Sequence, residues 1–268
     1  MNFLQAFILG IVEGVTEYLP VSSTGHLIIV SSLMDLKGEA IKTFEVVIQV
    51  GAILAVLGLY RNRVTQMGQG LFGKNSSGLK LLINLFISFL PAAILGLALH
   101  KKIKEHLFFP IPVGLALAVG GVIMILSDVF YKKGDLKKID IESISIKKAV
   151  IIGLVQCFAL WPGTSRSMAT ILGGLIIGLN RKDAAEYSFL LALPTLSAAC
   201  FFDLIKGGGF LFADVGMINF FTGMIVSGIV AAIAIKGFVA WLTKHGFAPF
   251  GWYRIIIAVM VWLVWRAS

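Results

Sequence analysis

The chain has 268 residues, of which 58% are apolar and only 14% charged, and its mean hydropathy is +0.93. Soluble domains run near ~45–50% apolar and ~25% charged, so a soluble globular fold is excluded, and so is disorder, which goes with few apolar residues. The net charge of +9 lacks an aromatic-interleaved basic patch. Its lysines cluster between apolar runs, as juxtamembrane residues facing anionic lipid do, so membrane lipids and not nucleic acid are the expected partners. Cys157 and Cys200 sit in apolar stretches and are no secreted disulfide framework. The start Met1-Asn2-Phe3 has no basic region, and no cleavable signal peptide is expected.

In chain order, residues 5–34 are apolar but interrupted by Glu13, Glu17, Pro20, Ser22-Ser23-Thr24-Gly25 and His26. This predicts two half-length helices around a polar break, a re-entrant hairpin, which lipid tolerates only where protein or a watery cavity surrounds the break. Runs long enough to span hydrocarbon follow near 44–60, 79–99 and 110–130. A charged connector, Lys132 to Lys148, leads to residues 149–179, broken by Gln156, Pro162, Gly163 and Thr164-Ser165-Arg166-Ser167, a second predicted hairpin. Three more spans are predicted near 186–204, 215–236 and 250–266.

The two broken regions resemble each other. Ile8-Leu9-Gly10-Ile11-Val12-Glu13 aligns with Ile151-Ile152-Gly153-Leu154-Val155-Gln156, and Pro20-Val21-Ser22-Ser23 with Pro162-Gly163-Thr164-Ser165 after one residue of slippage. The expected fold is an all-α polytopic membrane protein, one integral domain over 1–268, built from repeats at about 1–131 and 149–268. Each repeat would hold a hairpin and three spans. A hairpin crosses nothing and three is odd, so the second repeat must be inverted. Fifteen basic residues, Arg254 among them, are assigned to one side and seven to the other, with Arg166 inside the second hairpin completing the 23. The positive-inside rule puts the fifteen in the cytoplasm and the mouth of the first hairpin outside.

Glu13 and Glu17, four apart, share one helix face. Carboxylates at membrane depth suit either a hard divalent cation or a general base beside an electrostatic partner; the alternative is helix capping or contact with interfacial water. Ser22, Ser23 and Thr24 at a helix start make an anion cradle, with His26 as acid, base or nucleophile, or else an ordinary N-cap beside a buried histidine. Arg166, flanked by Ser165 and Ser167, suits a bidentate phosphate clamp; the alternative is a salt bridge to Glu13 or Glu17 that ties the repeats. Glu45 and Glu186 are expected to hold the hairpins in place. The near P-loop at 68–75 has Asn75 where Ser/Thr is required and follows no strand, so chance explains it. His100, His106 and His245 are expected in solvated loops.

Glu13-Gly14-Val15-Thr16-Glu17-Tyr18-Leu19-Pro20-Val21-Ser22-Ser23-Thr24-Gly25-His26 and Pro162-Gly163-Thr164-Ser165-Arg166-Ser167-Met168-Ala169-Thr170 closely resemble the two signature stretches of the bacterial undecaprenyl-diphosphatase, or bacitracin-resistance, family. Lys42-Thr43-Phe44-Glu45-Val46-Val47-Ile48-Gln49 resembles the same family. The resemblance implies a multi-pass protein of the bacterial plasma (inner) membrane that hydrolyses undecaprenyl diphosphate to undecaprenyl phosphate and phosphate. That reaction recycles the lipid carrier for peptidoglycan synthesis and confers bacitracin resistance. It further implies a divalent cation, magnesium or calcium, and a catalytic role for Glu13, Glu17, Ser23, His26 and Arg166. Ser22, Thr24, Ser165 and Ser167 join Arg166 around the phosphates, and a homodimer is left open. For the nucleophile Ser23, His26 and water all stand open, with Ser23, activated by His26 or a carboxylate, favoured. The rival from another class is a transporter of an anionic cargo; a lipid phosphotransferase using ATP is disfavoured by the imperfect P-loop.

Overall fold

A computed structural model describes residues 1–107, 109–131 and 139–267, and every regular element in it is helical. The seven residues 132–138 of the expected connector, and the side chain of His100, lie outside the described residues.

The first broken region forms α1 (Phe3–Thr16) and α2 (Ser23–Leu33). α1 starts on a capping box, in which Asn2 accepts the Gln5 N–H at 2.9 Å and Gln5 accepts that of Asn2 at 2.8 Å. The span expected at 44–60 is longer and has a joint: α3 (Glu39–Val47) and α4 (Gln49–Leu59) meet at Ile48. α5 (Arg61–Leu71) was not foreseen from the sequence, being short and largely polar, and it packs on α6 (Ser76–His106). Asn75, where a P-loop needs Ser/Thr, caps α6 by accepting the Gly78 N–H. α7 (Pro110–Phe130) follows, with proline in the first turn, where its missing N–H costs nothing.

The second broken region gives α8 (Ile146–Gln156), a 3₁₀ turn at Cys157–Leu160, and α9 (Arg166–Ile176). α10 (Arg181–Phe210) runs into a π turn at Leu211–Val215, and α11 (Met217–His245) and α12 (Ala248–Ala267) complete the chain. Among the described residues, five stretches are long and apolar enough to cross a membrane: Glu39–Leu59, Ser76–Leu99, Ile111–Phe130, Arg181–Val215 and Met217–His245. Exposed Phe86, Leu97, Ile218, Ile229 and Ile233 form outer faces that lipid, not water, would cover. α10 lies innermost, with Ala184, Tyr187 and Phe189–Ala192 fully buried.

Small residues let α1 and α4 pack closely on α11. A Cβ on Gly10 or Gly14 of α1 would fall 2.7 Å from Gly223 O or 2.6 Å from Ser227 O of α11, and one on Gly51 of α4 would fall 1.9 Å from Met224 O. Backbones approach this closely where association depends on dispersion, because lipid offers no hydrophobic drive between helices.

Several expectations need correction. Arg254, assigned to a cytoplasmic loop, is fully buried on α12. Helix α12 starts six residues earlier, so at 1.5 Å per residue Arg254 lies ~9 Å along it. Glu45 does engage the first hairpin, accepting the Ser31 hydroxyl. Glu186 does not hold the second: it accepts Arg63 Nε of α5 at 2.7 Å, and Arg63 also donates to Glu142. His106 and His245 end α6 and α11, so they belong to helices and not to loops.

Candidate active site

The two hairpins meet break to break. Ser167 Oγ of α9 donates to Leu19 O at 2.9 Å, and Arg166 Nη2 donates to Glu17 Oε1 at 2.8 Å. Each second helix is capped by a serine in an unusual backbone conformation, Ser22 at φ 73° and Ser165 at φ 75°. Such conformations cost ~1–3 kcal/mol each and persist where surrounding contacts over-determine them, typically at functional sites. Ser22 Oγ accepts the Gly25 N–H and Ser165 Oγ the Met168 N–H. The caps therefore pair Ser22 with Ser165, which moves the sequence alignment of the two breaks by one residue.

Between the breaks lies a cavity of about 100 Å³ lined by Glu17, Ser22, Ser23, Thr24, Gln49, Trp161, Gly163, Ser165 and Arg166, among others. Ser23 Oγ donates to Glu17 Oε2 at 2.5 Å, so one carboxylate holds the serine hydroxyl on one oxygen and the guanidinium on the other. Arg166 Nη1 donates to Ser188 O at 3.0 Å and its plane lies 5.4 Å over the Tyr18 ring. Its Nε, buried, has no protein partner. The tie to Glu17 is thus present, on a residue that also lines the polar cavity.

Glu13 sits one turn before Glu17, fully buried, and neither of its carboxylate oxygens has a hydrogen-bond partner. Gln156, its counterpart in the second region, is satisfied: Nε2 donates to Ser88 O and Oε1 accepts Thr195 Oγ1. A buried carboxylate that meets no donor is costly, and of the two matching positions only Glu13 is in that situation.

Residues 6–260 match the family described as bacitracin resistance protein BacA. The chain belongs to the BacA family. A protein of Sorangium cellulosum named undecaprenyl-diphosphatase is 46% identical over 266 residues, 98% of this chain and 87% of its own. Proteins of the same name from Nitrosomonas europaea and Methylobacillus flagellatus are each 47% identical, the first over 97% of this chain and 93% of its own, the second over 96% of each.

In this BacA-family chain the residues expected at the site separate into three groups. Glu17, Ser22, Ser23, Thr24, Ser165 and Arg166 line the cavity, while Ser167 sits just behind it, bonded to Ser165 Oγ at 3.0 Å. Glu13 backs Glu17. His26 faces elsewhere: Nδ1 bonds Ser22 O at 2.8 Å and Nε2 bonds Tyr253 Oη at 2.7 Å, with the two rings stacked. Gln49, first residue of α4, was missed as a site residue. Its signals were a polar side chain inside a predicted span and its place at the end of the family-like stretch from Lys42; in the structure it follows the joint at Ile48 and lines the cavity.

Proposed function

We propose that this protein hydrolyses undecaprenyl diphosphate to undecaprenyl phosphate and inorganic phosphate, recycling the lipid carrier of peptidoglycan synthesis and so conferring bacitracin resistance. The observation that carries the reading is the Ser23–Glu17–Arg166 array on the cavity wall. Phosphoryl transfer needs a positioned nucleophile, a proton acceptor and charge neutralisation on the non-bridging oxygens. Ser23 Oγ attacks the terminal phosphorus as Glu17 takes its proton. The phosphoanhydride bond breaks and the prenyl phosphate leaves. Water then attacks the phosphoserine, releasing phosphate and restoring the hydroxyl. The Arg166 guanidinium and the N–H groups starting α2 and α9 stabilise the phosphoryl oxygens. His26, held by Ser22 O and Tyr253, shapes the break and is not the base for Ser23.

A divalent cation fits this site. The buried carboxylates of Glu13 and Glu17, one helical turn apart, are hard oxygen donors suited to magnesium or calcium. Among the described residues no group of three His, Cys, Asp or Glu assembles, so substrate phosphate and water would complete the coordination, as is usual for magnesium. When bound, the ion supplies charge neutralisation at the phosphates.

The architecture we propose is six spans, with α12 as the sixth, plus two re-entrant hairpins in inverted repeats. The packing supports it. α1 contacts α11 while its counterpart α8 contacts α6, α4 contacts α11 while α10 contacts α6, and α7 pairs with α12. Exchanged partners of this kind are what a pseudo-twofold produces. With Arg254 removed from the count, fourteen basic residues against seven still favour the first hairpin opening on the periplasmic side. The test is phosphate release from a polyprenyl diphosphate by purified protein in detergent, with and without chelator, against Ser23→Ala. Turnover without a gradient that is lost in the variant supports the enzyme; none in the wild type leaves the transporter.

A further inference from the structure

Arg254 has no place in that reaction, yet among the described residues it is the most heavily hydrogen-bonded side chain. It is fully buried. Nε donates to Leu117 O at 3.2 Å, Nη1 to Pro20 O at 3.1 Å and Thr164 O at 2.9 Å, and Nη2 to Ala116 O at 3.0 Å and Gly163 O at 2.9 Å. A guanidinium has five N–H donors, and here all five reach main-chain carbonyls. Two of the carbonyls belong to α7, one to the first hairpin break and two to the second. Gly120 of α7 leaves the room, since a Cβ there would stand 2.3 Å from Arg254 Nη2. One side chain from α12 thus joins both breaks to a third helix.

These carbonyls flank the cavity wall. Pro20 precedes Ser22 and Ser23 by two and three residues, and Gly163 and Thr164 lead directly into Ser165 and Arg166. In a trans peptide the C=O and the next N–H point opposite ways. Holding Thr164 O on Arg254 therefore turns the Ser165 N–H to the other face of that peptide, where no described residue accepts it.

We propose that Arg254 is a positioning residue, setting the separation and orientation of the two hairpin breaks so that Ser23 and Arg166 address one phosphoryl group. This rests on the phosphatase reading above. Lysine can keep at most three of the five bonds, and misplacement of a reacting group by ~1 Å can cost about 10²-fold. Two variants approach the contact from opposite sides: Arg254→Lys removes the fork, and Gly120→Ala displaces it without removing it. For each, kcat per folded molecule is expected to fall about 10–10²-fold with KM for the polyprenyl diphosphate little changed, the signature of a lost transition-state arrangement.

Spin labels at Thr24→Cys and Trp161→Cys give a readout independent of turnover, and their distance distribution is expected to broaden in both variants. A kcat per folded molecule near that of the wild type, or an unchanged narrow distribution, overturns the proposal. Should Arg254→Lys fail to accumulate, Gly120→Ala decides by the same measures. A wild-type protein without turnover removes the phosphatase reading alone, and the label distances still decide the positioning role.

Discussion

Arg166→Lys separates what the guanidinium does for the fold from what it does for the chemistry. The wild-type side chain holds Glu17 Oε1 at 2.8 Å and Ser188 O at 3.0 Å and keeps Nε free. A lysine ammonium keeps the charge and can retain Glu17, but a point donor cannot also reach Ser188 and a phosphate oxygen in the fork geometry. Losing the charged bond to the Ser188 carbonyl costs about 1.5–3 kcal/mol of stability. Losing one aligned donor to the developing phosphoryl charge costs ~2.7–4 kcal/mol, or about 10²–10³ in turnover. The first loss is a fraction of the ~5–15 kcal/mol that keeps a protein folded, so folded enzyme should remain while activity collapses. Phosphate release from a polyprenyl diphosphate in detergent, with kcat normalised to protein that elutes as a folded species, gives one number, and the thermal midpoint gives the other. Near-normal turnover per folded molecule, with or without a lowered midpoint, would refute the clamp and leave only the tie to Glu17.

Gly51→Ala should force α4 from α11, because its Cβ would lie 1.9 Å from Met224 O. Overpacking of this kind costs about 1–3 kcal/mol, read as a lowered melting midpoint, and an unchanged midpoint would contradict the close packing. Asp128→Ala should also lower the midpoint, since its carboxylate accepts the Phe247 and Ala248 N–H groups that open α12 and pairs with Arg181 at 2.7 Å. The lost cap alone is worth about 0.5–2 kcal/mol, and kcat per folded molecule should survive. Thr24→Cys should react with an impermeant thiol reagent added outside intact cells; labelling only once the cytoplasmic face is opened would reverse the orientation.

Much of this protein was legible along the chain, for a local reason. Hydrophobicity adds residue by residue, so a span shows as an uninterrupted apolar run, and α7 falls at 110–130 as expected. The two helix breaks were equally visible, because Pro20 and Pro162 with their polar neighbours cannot continue an apolar helix. Glu13, Glu17 and Arg166 stood out because an ionisable group at that depth needs a partner or a task. What the sequence could not assign was which partner each group takes. Arg254 lies in α12 only six residues from its start and reads as a span-end charge. Its bond to Pro20 O joins residues 234 apart, and the carbonyls it takes carry no side-chain signature. Gln49 and Tyr253 were hidden in the same way, by a joint in one helix and by the stacking of another beside His26. Composition and periodicity decide whether a segment enters the membrane and where it breaks. Only the packed helices decide which backbone carbonyls converge on one guanidinium, because that convergence belongs to several segments at once and to none of them alone.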